Sequence, residues 1–453
     1  MKQSTALEIL KTGANVFLTG CAGTGKTYII NQYCDWLINN KEKEHKIART
    51  ASTGLAASQI SGQTIHSWSG IGIKTEFTPE DLFSFSSKQP TLERLRAADV
   101  LIIDEISMLH RKQFELVDYV LKIARKNSLP FGGVQLIICG DFFQLPPISN
   151  NALKEATSEI FCFTGQSWRN ANFQICYLTE QYRTTGGEFN ALLNAIREDC
   201  IQPEHIQTLN QTANKPYDIE VLNLYTHNEN VDTINFARLM QLTTPSFHFE
   251  AKSSGDARWI EALKKQMLTP EKLELKGGAK VLFTKNNHSN QFMNGTQGIV
   301  TSFSADEDNP ADPTLYPVVK TVDGLHILAK PMSWELKDPK DRTLASVTQI
   351  PLVLAWAITV HKSQGMSLDE ANIDLSRAFV EGQGYVALSR LRSIKGLRLS
   401  GFNTTALRVN ELVQEIDKTF RETSDLVALK YEQAKQYSFN SEPPFESDTD
   451  LPF

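Results

Sequence analysis

The chain has 453 residues, 41% of them apolar and 22% charged, with a formal net charge of −6. At about 150 residues per domain this length suggests two to four domains, and the composition is that of an ordinary globular protein. No run of 18 apolar residues occurs, which excludes a membrane-spanning helix; the mild acidity excludes little, because a groove that holds nucleic acid needs only local positive charge.

The N-terminal stretch "MKQSTALEILKTGANVFLTG" has no apolar signal core with a cleavage site, so secretion is not expected. The cysteines Cys21, Cys34, Cys139, Cys162, Cys176 and Cys200 form no Cys-x-x-Cys pair. That spacing supports neither a disulfide framework nor a zinc or iron–sulfur site, and points to reduced thiols in a cytoplasmic protein.

In chain order, "NVFLTG" (15–20), "ADVLIIDE" (98–105) and "VQLIICGD" (134–141) are short apolar runs ending in a polar or glycine turn. Such runs read as strands buried on both faces of a parallel sheet. After the first comes "KTYIINQYCDWLINN", with Ile29, Ile30, Tyr33, Trp36 and Leu37 at helical spacing. The segment 69–95 interrupts the alternation and reads as a small insertion. The alternation resumes over 173–244, and 272–343 then holds only short β-type runs with a hairpin signal at Asn294-Gly295. "IPLVLAWAITVHKSQG" (350–365) returns to a buried strand. The expected organisation is an α/β chain. A first domain spans 1–172, a second spans 173–244 and 344–440, a small β-barrel or sheet is inserted at 245–343, and a disordered tail follows at 441–453. That tail contributes Glu442, Glu446, Asp448 and Asp450 and no base; without it, 46 basic residues face 48 acidic ones.

"GCAGTGKT" (20–27) fits G-x-x-x-x-G-K-[ST] between a strand and a helix. Gly20, Gly23 and Gly25, with Thr24 between them, would let backbone N–H groups converge on phosphate oxygens at a helix N-terminus. Lys26 would reach the β- and γ-phosphates of ATP, and Thr27 would ligate Mg2+. Asp104 and Glu105 close an apolar strand. They suit two tasks, the first holding magnesium and the second orienting the attacking water. Gln144 in "GDFFQLPP" could hydrogen-bond the γ-phosphate and its water. Arg183 in "LTEQYRT" and Arg390 in "YVALSRLRS" are candidates for arginines that reach ATP when two domains close.

In this order and spacing, "QSTALEILKTGANVFLTGCAGTGKT", "ASTGLAASQISGQTIHSW", "LIIDEISML", "GDFFQLPP", "LTEQYR", "NGTQGIV", "ITVHKSQGMSLD" and "YVALSR" resemble the Pif family of superfamily 1 DNA helicases, with RecD-type and Dda-type helicases as nearest relatives. The stretch "ISMLHRKQFELVDYVLKIAR" resembles the Pif signature. The resemblance implies two RecA-like P-loop domains with ATP in the cleft between them, and residues 69–95 as a strand-separating wedge. It implies that Gln3 reads adenine, that Tyr182 stacks on the base, that Arg183 and Arg390 contact the γ-phosphate, and that Gln364 and Gly365 line the cleft. It implies a grip on single-stranded DNA by Thr53, Gly54, Thr64, His66 and Ser67 of the first domain. Thr226, His227, Asn228, Thr359, His361 and Lys362 would supply the grip of the second domain, and Lys285 and Asn286 that of the insertion. These short polar groups suit phosphate contacts that hold register without reading sequence.

The function expected from this resemblance is an ATP-dependent DNA helicase moving 5′ to 3′ on single-stranded DNA, acting on forked or structured DNA. It would be monomeric in isolation and able to pair on DNA, with no membrane partner. A small-substrate P-loop kinase and a nucleotide-switched DNA-binding scaffold are the alternatives.

Overall fold

The computed structural model describes residues 1–39, 45–72, 74–147, 157–182, 187–213, 221–227, 231–285, 287, 292, 294–337 and 342–440. Strands β1 (Val16–Gly20), β2 (Ile47–Ala51), β3 (Gln63–Thr64), β4 (Val100–Asp104), β5 (Gln135–Cys139) and β6 (Gln174–Leu178) form one parallel sheet in the order β3-β2-β4-β5-β1-β6. Every residue of β1 and β4 is buried, as a sheet covered on both faces requires. Helices α1 (Gln3–Lys11) and α2 (Lys26–Asn39) cover one face, where Ala6, Ile9, Leu10, Ile29, Ile30 and Tyr33 pack on Val16, Leu18 and Ile102. Helix Arg111–Arg125 covers the other, burying Phe114, Val117, Val120 and Leu121. Because the strands are parallel, Gly20, Asp104 and Cys139 all end on one edge of the sheet, and the site forms there.

The expected boundary at 172 shifts. Strand β6 pairs with β1 over five residues, from Val16↔Gln174 to Gly20↔Leu178, so the first domain runs through Leu178. Residues 69–95 are also more ordered than an inserted loop. They contain helices Pro79–Ser86, closed by a reciprocal cap between Thr78 and Asp81, and most of Gln89–Ala97. Phe85, Leu92 and Leu95 join the core, while Phe83 is 81% exposed. The segment belongs to the crossover from β3 to β4.

The second domain is a parallel sheet of Ala357–Thr359, Asn223–Tyr225, Ala371–Leu375 and Leu397–Phe402, in that order. Between Ser246 and Leu354 lies the insertion: an open five-stranded sheet with a two-stranded and a three-stranded sheet beside it, plus helix Ala257–Gln266. Of the barrel or sheet expected to end at 343, the structure has sheets, and they extend to Leu354. Thr343–Gln349 pairs with Met332–Lys337, and Leu352–Leu354 pairs with Lys280–Phe283. The apolar run 350–365 is thus split between two sheets. Asn294-Gly295 is not a two-residue turn either: Leu282 pairs with Gln297, leaving a longer connection.

The long helix Glu411–Asn440, expected with the second domain, lies on the first. It covers the free edge of β6, where Ser424 Oγ accepts a hydrogen bond from the Tyr177 N–H at 2.9 Å. A covered edge has no unpaired backbone to offer another strand. Phe420 packs its ring 5.1 Å from that of Phe17, 6.0 Å from Trp168 and 6.3 Å from Phe142. The tail 441–453 lies outside the described residues. Among the described residues no helix is long and apolar enough to cross a membrane.

Phe420 is the main apolar anchor of this helix. Phe420→Ala is expected to cost about 3–5 kcal/mol, the usual range for a buried phenylalanine. The urea midpoint should fall, and limited proteolysis should cut within 411–440 sooner than in the parent chain. An unchanged midpoint and cleavage pattern would show that the helix is held otherwise.

Candidate nucleotide cleft and strand-binding face

A cavity of about 590 Å³ opens between the two parallel sheets, and both domains line it. The first contributes Ala22, Gly23, Gly25, Lys26, Thr27, Tyr28, Glu105, Gln144 and Tyr182; the second contributes Gly365, Ser367, Arg390 and Arg392. The residues expected at the phosphates are therefore together. Arg183 lies outside the described residues.

The loop after β1 needs glycine for two separate reasons. Gly20 has φ +140°, and a Cβ there would sit 2.6 Å from the Leu178 carbonyl oxygen. Gly25 has φ +82°, and a Cβ there would lie 2.2 Å from Gln3 Nε2. That nitrogen donates to the Thr24 carbonyl at 2.9 Å, so Gln3 rests on the loop beside the cavity. Thr24 is buried, with its hydroxyl on the Cys21 carbonyl. Lys26 Nζ donates to the carbonyls of Gly20 (2.9 Å) and Cys21 (3.0 Å), folding the ammonium over the loop's mouth. The Tyr182 N–H donates to Gly23 O at 2.9 Å, which places its ring, 62% exposed, at the rim.

Asp104 is buried at the end of β4 and accepts from the Glu105 N–H at 2.8 Å. Glu105 itself has φ +51°, a left-handed conformation uncommon for a non-glycine residue and often found at functional positions. Burial, then the neighbouring Asp104, push the Glu105 carboxyl up to about 7, with Arg390 and Lys26 opposing. Burial also raises Asp104. From the second domain, Gln364 Nε2 donates to Glu105 Oε2 at 3.0 Å. Arg390 is buried with Nε on the Val386 carbonyl and Nη2 on the Ser389 hydroxyl, both at 2.9 Å. Gln144 Oε1 and Gln364 Oε1 are buried without a hydrogen-bond partner. Two orphaned acceptors beside a basic loop fit a ligand that brings donors, such as a water on a phosphate chain. No cluster of three acidic, histidine or cysteine ligands occurs among the described residues. A magnesium ion held by Thr27, Asp104 and phosphate oxygens would need none.

The residues expected to grip DNA sit at strand and helix ends of both sheets. Thr53 caps helix Gly54–Gln59 by accepting from the Ala56 N–H at 3.2 Å, and Thr64 caps Ile65–Ser69 by accepting from the Ser67 N–H at 3.3 Å. His66 Nε2 lies 3.2 Å from Gln113 Oε1, and burial lowers its pKa. In the second domain Thr226 and Thr359 are buried, and their hydroxyls serve local structure. Thr226 Oγ1 meets His227 Nδ1 at 2.9 Å, and Thr359 Oγ1 accepts from the Lys362 N–H at 3.2 Å. The His227 ring stands 4.7 Å from Phe379, which is 56% exposed. His361 has its pKa lowered by burial. Lys285 donates to the Ser333 carbonyl at 2.6 Å and lies over the Trp334 ring. Asn228 and Asn286 fall outside the described residues.

One link joins the two faces. Ser52, one residue before Thr53, donates its N–H to the Asp104 carbonyl and its hydroxyl to the Glu105 carbonyl. The loop that carries Thr53 is thereby bonded to the backbone of Asp104 and Glu105. Tyr28, Ser367 and Arg392 are cleft residues that the sequence reading missed. Helical spacing shows that Tyr28 is off the core face, but not that this face borders a second domain.

A family profile described as PIF1-like helicase matches residues 2–204. The chain is 45% identical to the ATP-dependent DNA helicase Pif1 of Psychrobacter sp. (strain PRwf-1), over 94% of this chain and 71% of that protein. The crystal structure of Bacteroides sp Pif1 in complex with ADP-AlF4 superposes with a TM-score of 0.78 at 29% identity, covering 93% of this chain and 96% of that one. The Pif1 helicase from Bacteroides in complex with ADP-AlF3 and ssDNA gives 0.64 at 30% identity over the same shares. With identity at this level across nearly its whole length, and the same pair of RecA-like domains around the cleft, the chain belongs to the PIF1-like helicase family.

Proposed function

We propose that this chain is an ATP-dependent DNA helicase that moves 5′ to 3′ along single-stranded DNA and separates duplex ahead of it, with forked or structured DNA as its substrates. One observation carries the reading: a single cavity joins Lys26, Glu105 and Gln144 of one domain to Gly365 and Arg390 of the other. A small-substrate kinase has no use for the second domain's contribution, whereas a motor needs hydrolysis to be felt by both lobes.

The backbone N–H groups of the loop from Gly23 to Thr27 bind the phosphate chain at the N-terminal end of α2. Lys26, released from the two loop carbonyls, turns its ammonium to the terminal phosphates. Thr27 and Asp104 would hold magnesium, which would supply offsetting positive charge when bound. Glu105 orients the attacking water and accepts its proton, while the free amide oxygen of Gln144 fixes that water's direction. Arg390, packed without a carboxylate bonded to it, steadies the charge that develops on the terminal phosphate. Closure on ATP carries Thr359, His361 and Lys362 towards Thr53, Thr64 and Ser67, and reopening lets one set slide. Each base-pair step resists separation by about 1.4 kcal/mol of stacking on average.

Glu105→Gln should retain ATP binding, while turnover stimulated by single-stranded DNA falls at least about 100-fold, the lower end of general-base contributions. Arg390→Ala should lower the same rate by about 1,000-fold or more. Equal turnover in either variant and the parent would remove that residue from the chemistry. Polarity is read from strand displacement: duplexes with a 5′ tail should be separated when ATP is present, and those with only a 3′ tail should not. The opposite preference would reverse the assigned direction.

A further inference from the structure

Behind the cleft, away from its lining, lies a polar cluster inside the protein. Arg197 ends helix Gly187–Arg197 and is 1% exposed. Its Nη1 donates to both oxygens of Asp141, at 2.8 and 2.7 Å, and to the Tyr385 hydroxyl at 3.0 Å. Its Nη2 donates to the Tyr177 hydroxyl at 2.7 Å, and the Phe143 ring packs 4.1 Å from the guanidinium carbon. The Tyr385 hydroxyl donates to Asp141 Oδ2 at 3.1 Å and accepts from the Ala22 N–H of the phosphate loop at 3.2 Å. With one proton given and two lone pairs filled, that hydroxyl has no capacity left over.

One arm, through Tyr177, leads to β6 and the terminal helix; the other three lead to groups in the cleft. Ala22 belongs to the loop that carries Lys26. Asp141 accepts the Gln144 N–H on its carbonyl at 2.9 Å. Tyr385 lies on the short helix Gln383–Leu388, whose Val386 carbonyl receives Arg390 Nε. Arg197 touches none of Lys26, Gln144 or Arg390, yet it is bonded to a residue that positions each of the last two. A well-packed apolar core would often stabilise the fold as well as this buried ion pair does. A cluster kept for stability alone would have no reason to converge on these three positions.

We propose that Tyr385 and Arg197 are positioning residues for ATP turnover: Tyr385 passes the setting of the phosphate loop to the helix that aims Arg390, and Arg197 keeps Tyr385 in register with Asp141. The inference rests on the ATPase reading above. A shift of the loop as phosphate seats moves the Ala22 N–H, and the bonded hydroxyl draws the second domain's helix with it. Without the hydroxyl, the loop can still bind nucleotide, but its setting no longer reaches Arg390.

The test uses the full chain carrying Tyr385→Phe, which deletes one oxygen and leaves the ring packing, alongside Arg197→Lys. Steady-state hydrolysis with single-stranded DNA gives kcat and KM for ATP; a fluorescent ADP analogue gives binding, and thermal unfolding reports the fold. For Tyr385→Phe, kcat should fall about tenfold, the scale of one lost buried hydrogen bond, with KM and ADP affinity within about twofold. Fewer base pairs should be unwound per ATP consumed. Arg197→Lys, which replaces the planar two-nitrogen fork with a single ammonium nitrogen, should show the same split if its melting transition persists. Parent-like kcat and coupling in Tyr385→Phe would overturn the inference, as would a loss that appears only in KM or only in melting temperature. A parent chain that hydrolyses no ATP with single-stranded DNA would instead sink the functional reading on which the inference stands.

Discussion

A guanidinium in a protein interior stays there only if acceptors surround it, and Arg197 imposes that condition on four separate parts of this chain. Desolvation is the largest influence and opposes its charge, yet Asp141, Cys21, Tyr385 and Tyr177 together outweigh it and hold Arg197 well above its usual range. Burial likewise works against the Asp141 carboxylate, and Arg197, Lys26 and the hydrogen bonds from Arg197 and the Phe143 N–H together bring its pKa below the ordinary value. Each ion is tolerable because the other is present. The same requirement recruits Tyr177 from β6, Tyr385 from the second domain and, at 3.7 Å, Asp417 from the C-terminal helix. The first sheet, the second domain and the terminal helix therefore share one electrostatic centre. Placing β6 in the first domain, and the terminal helix on its edge, is the packing side of the same fact.

The cleft follows the reverse logic. Where the interior cluster pairs a guanidinium with a carboxylate, the cavity leaves Gln144 Oε1 and Gln364 Oε1 without partners and keeps Glu105 in a left-handed conformation. It sets Lys26 and Arg390 near the Glu105 carboxylate, with Lys26 spent on its own loop carbonyls. Such an arrangement is poorly satisfied alone and well suited to a polyanion accompanied by a cation. The two unmet acceptors of the cavity are ones that a ligand, not the fold, can complete.

The parts legible in sequence were those whose chemistry is local. A loop that wraps phosphate demands glycine at fixed offsets, and Gly20 and Gly25 show why, each blocked by a neighbour that a side chain would strike. The Asp104-Glu105 pair at a strand end was legible for the same reason. Partners distant in sequence were not. Arg197 is a lone arginine at the end of a helix, and only its bonds to residues 56 and 188 positions away reveal it as a centre. The boundary at 172 failed because β6 has the same buried pattern whichever sheet it joins. The run 350–365 failed because apolar character marks burial without saying in which layer. Thr226 and Thr359 carry the residue type expected for phosphate contact, yet their hydroxyls are engaged in capping and local turns.

The link between fuel and strand can be argued from where the backbone bonds run. Ser52 ties the start of the strand-side loop to the carbonyls of Asp104 and Glu105, and Thr53 then caps the helix that begins at Gly54. On the opposite lobe, Thr359 caps the turn through Lys362, and Gln364, two residues on, reaches across to Glu105. Glu105 is thus bonded through its carbonyl to the loop before Thr53 and through its carboxylate to the segment that follows Lys362, the two segments proposed to grip the strand. The carbonyl bond is indifferent to the chemistry, but the carboxylate bond is not. When Glu105 takes up a proton or turns to a water, the donor Gln364 loses its charged acceptor, and the segment carrying His361 and Lys362 loses a tether to the first domain. In the mechanism proposed above, hydrolysis would then free the second domain's strand-side segment from the first domain while the Ser52 bonds persist, and an alternating motor would draw its order of release from that asymmetry.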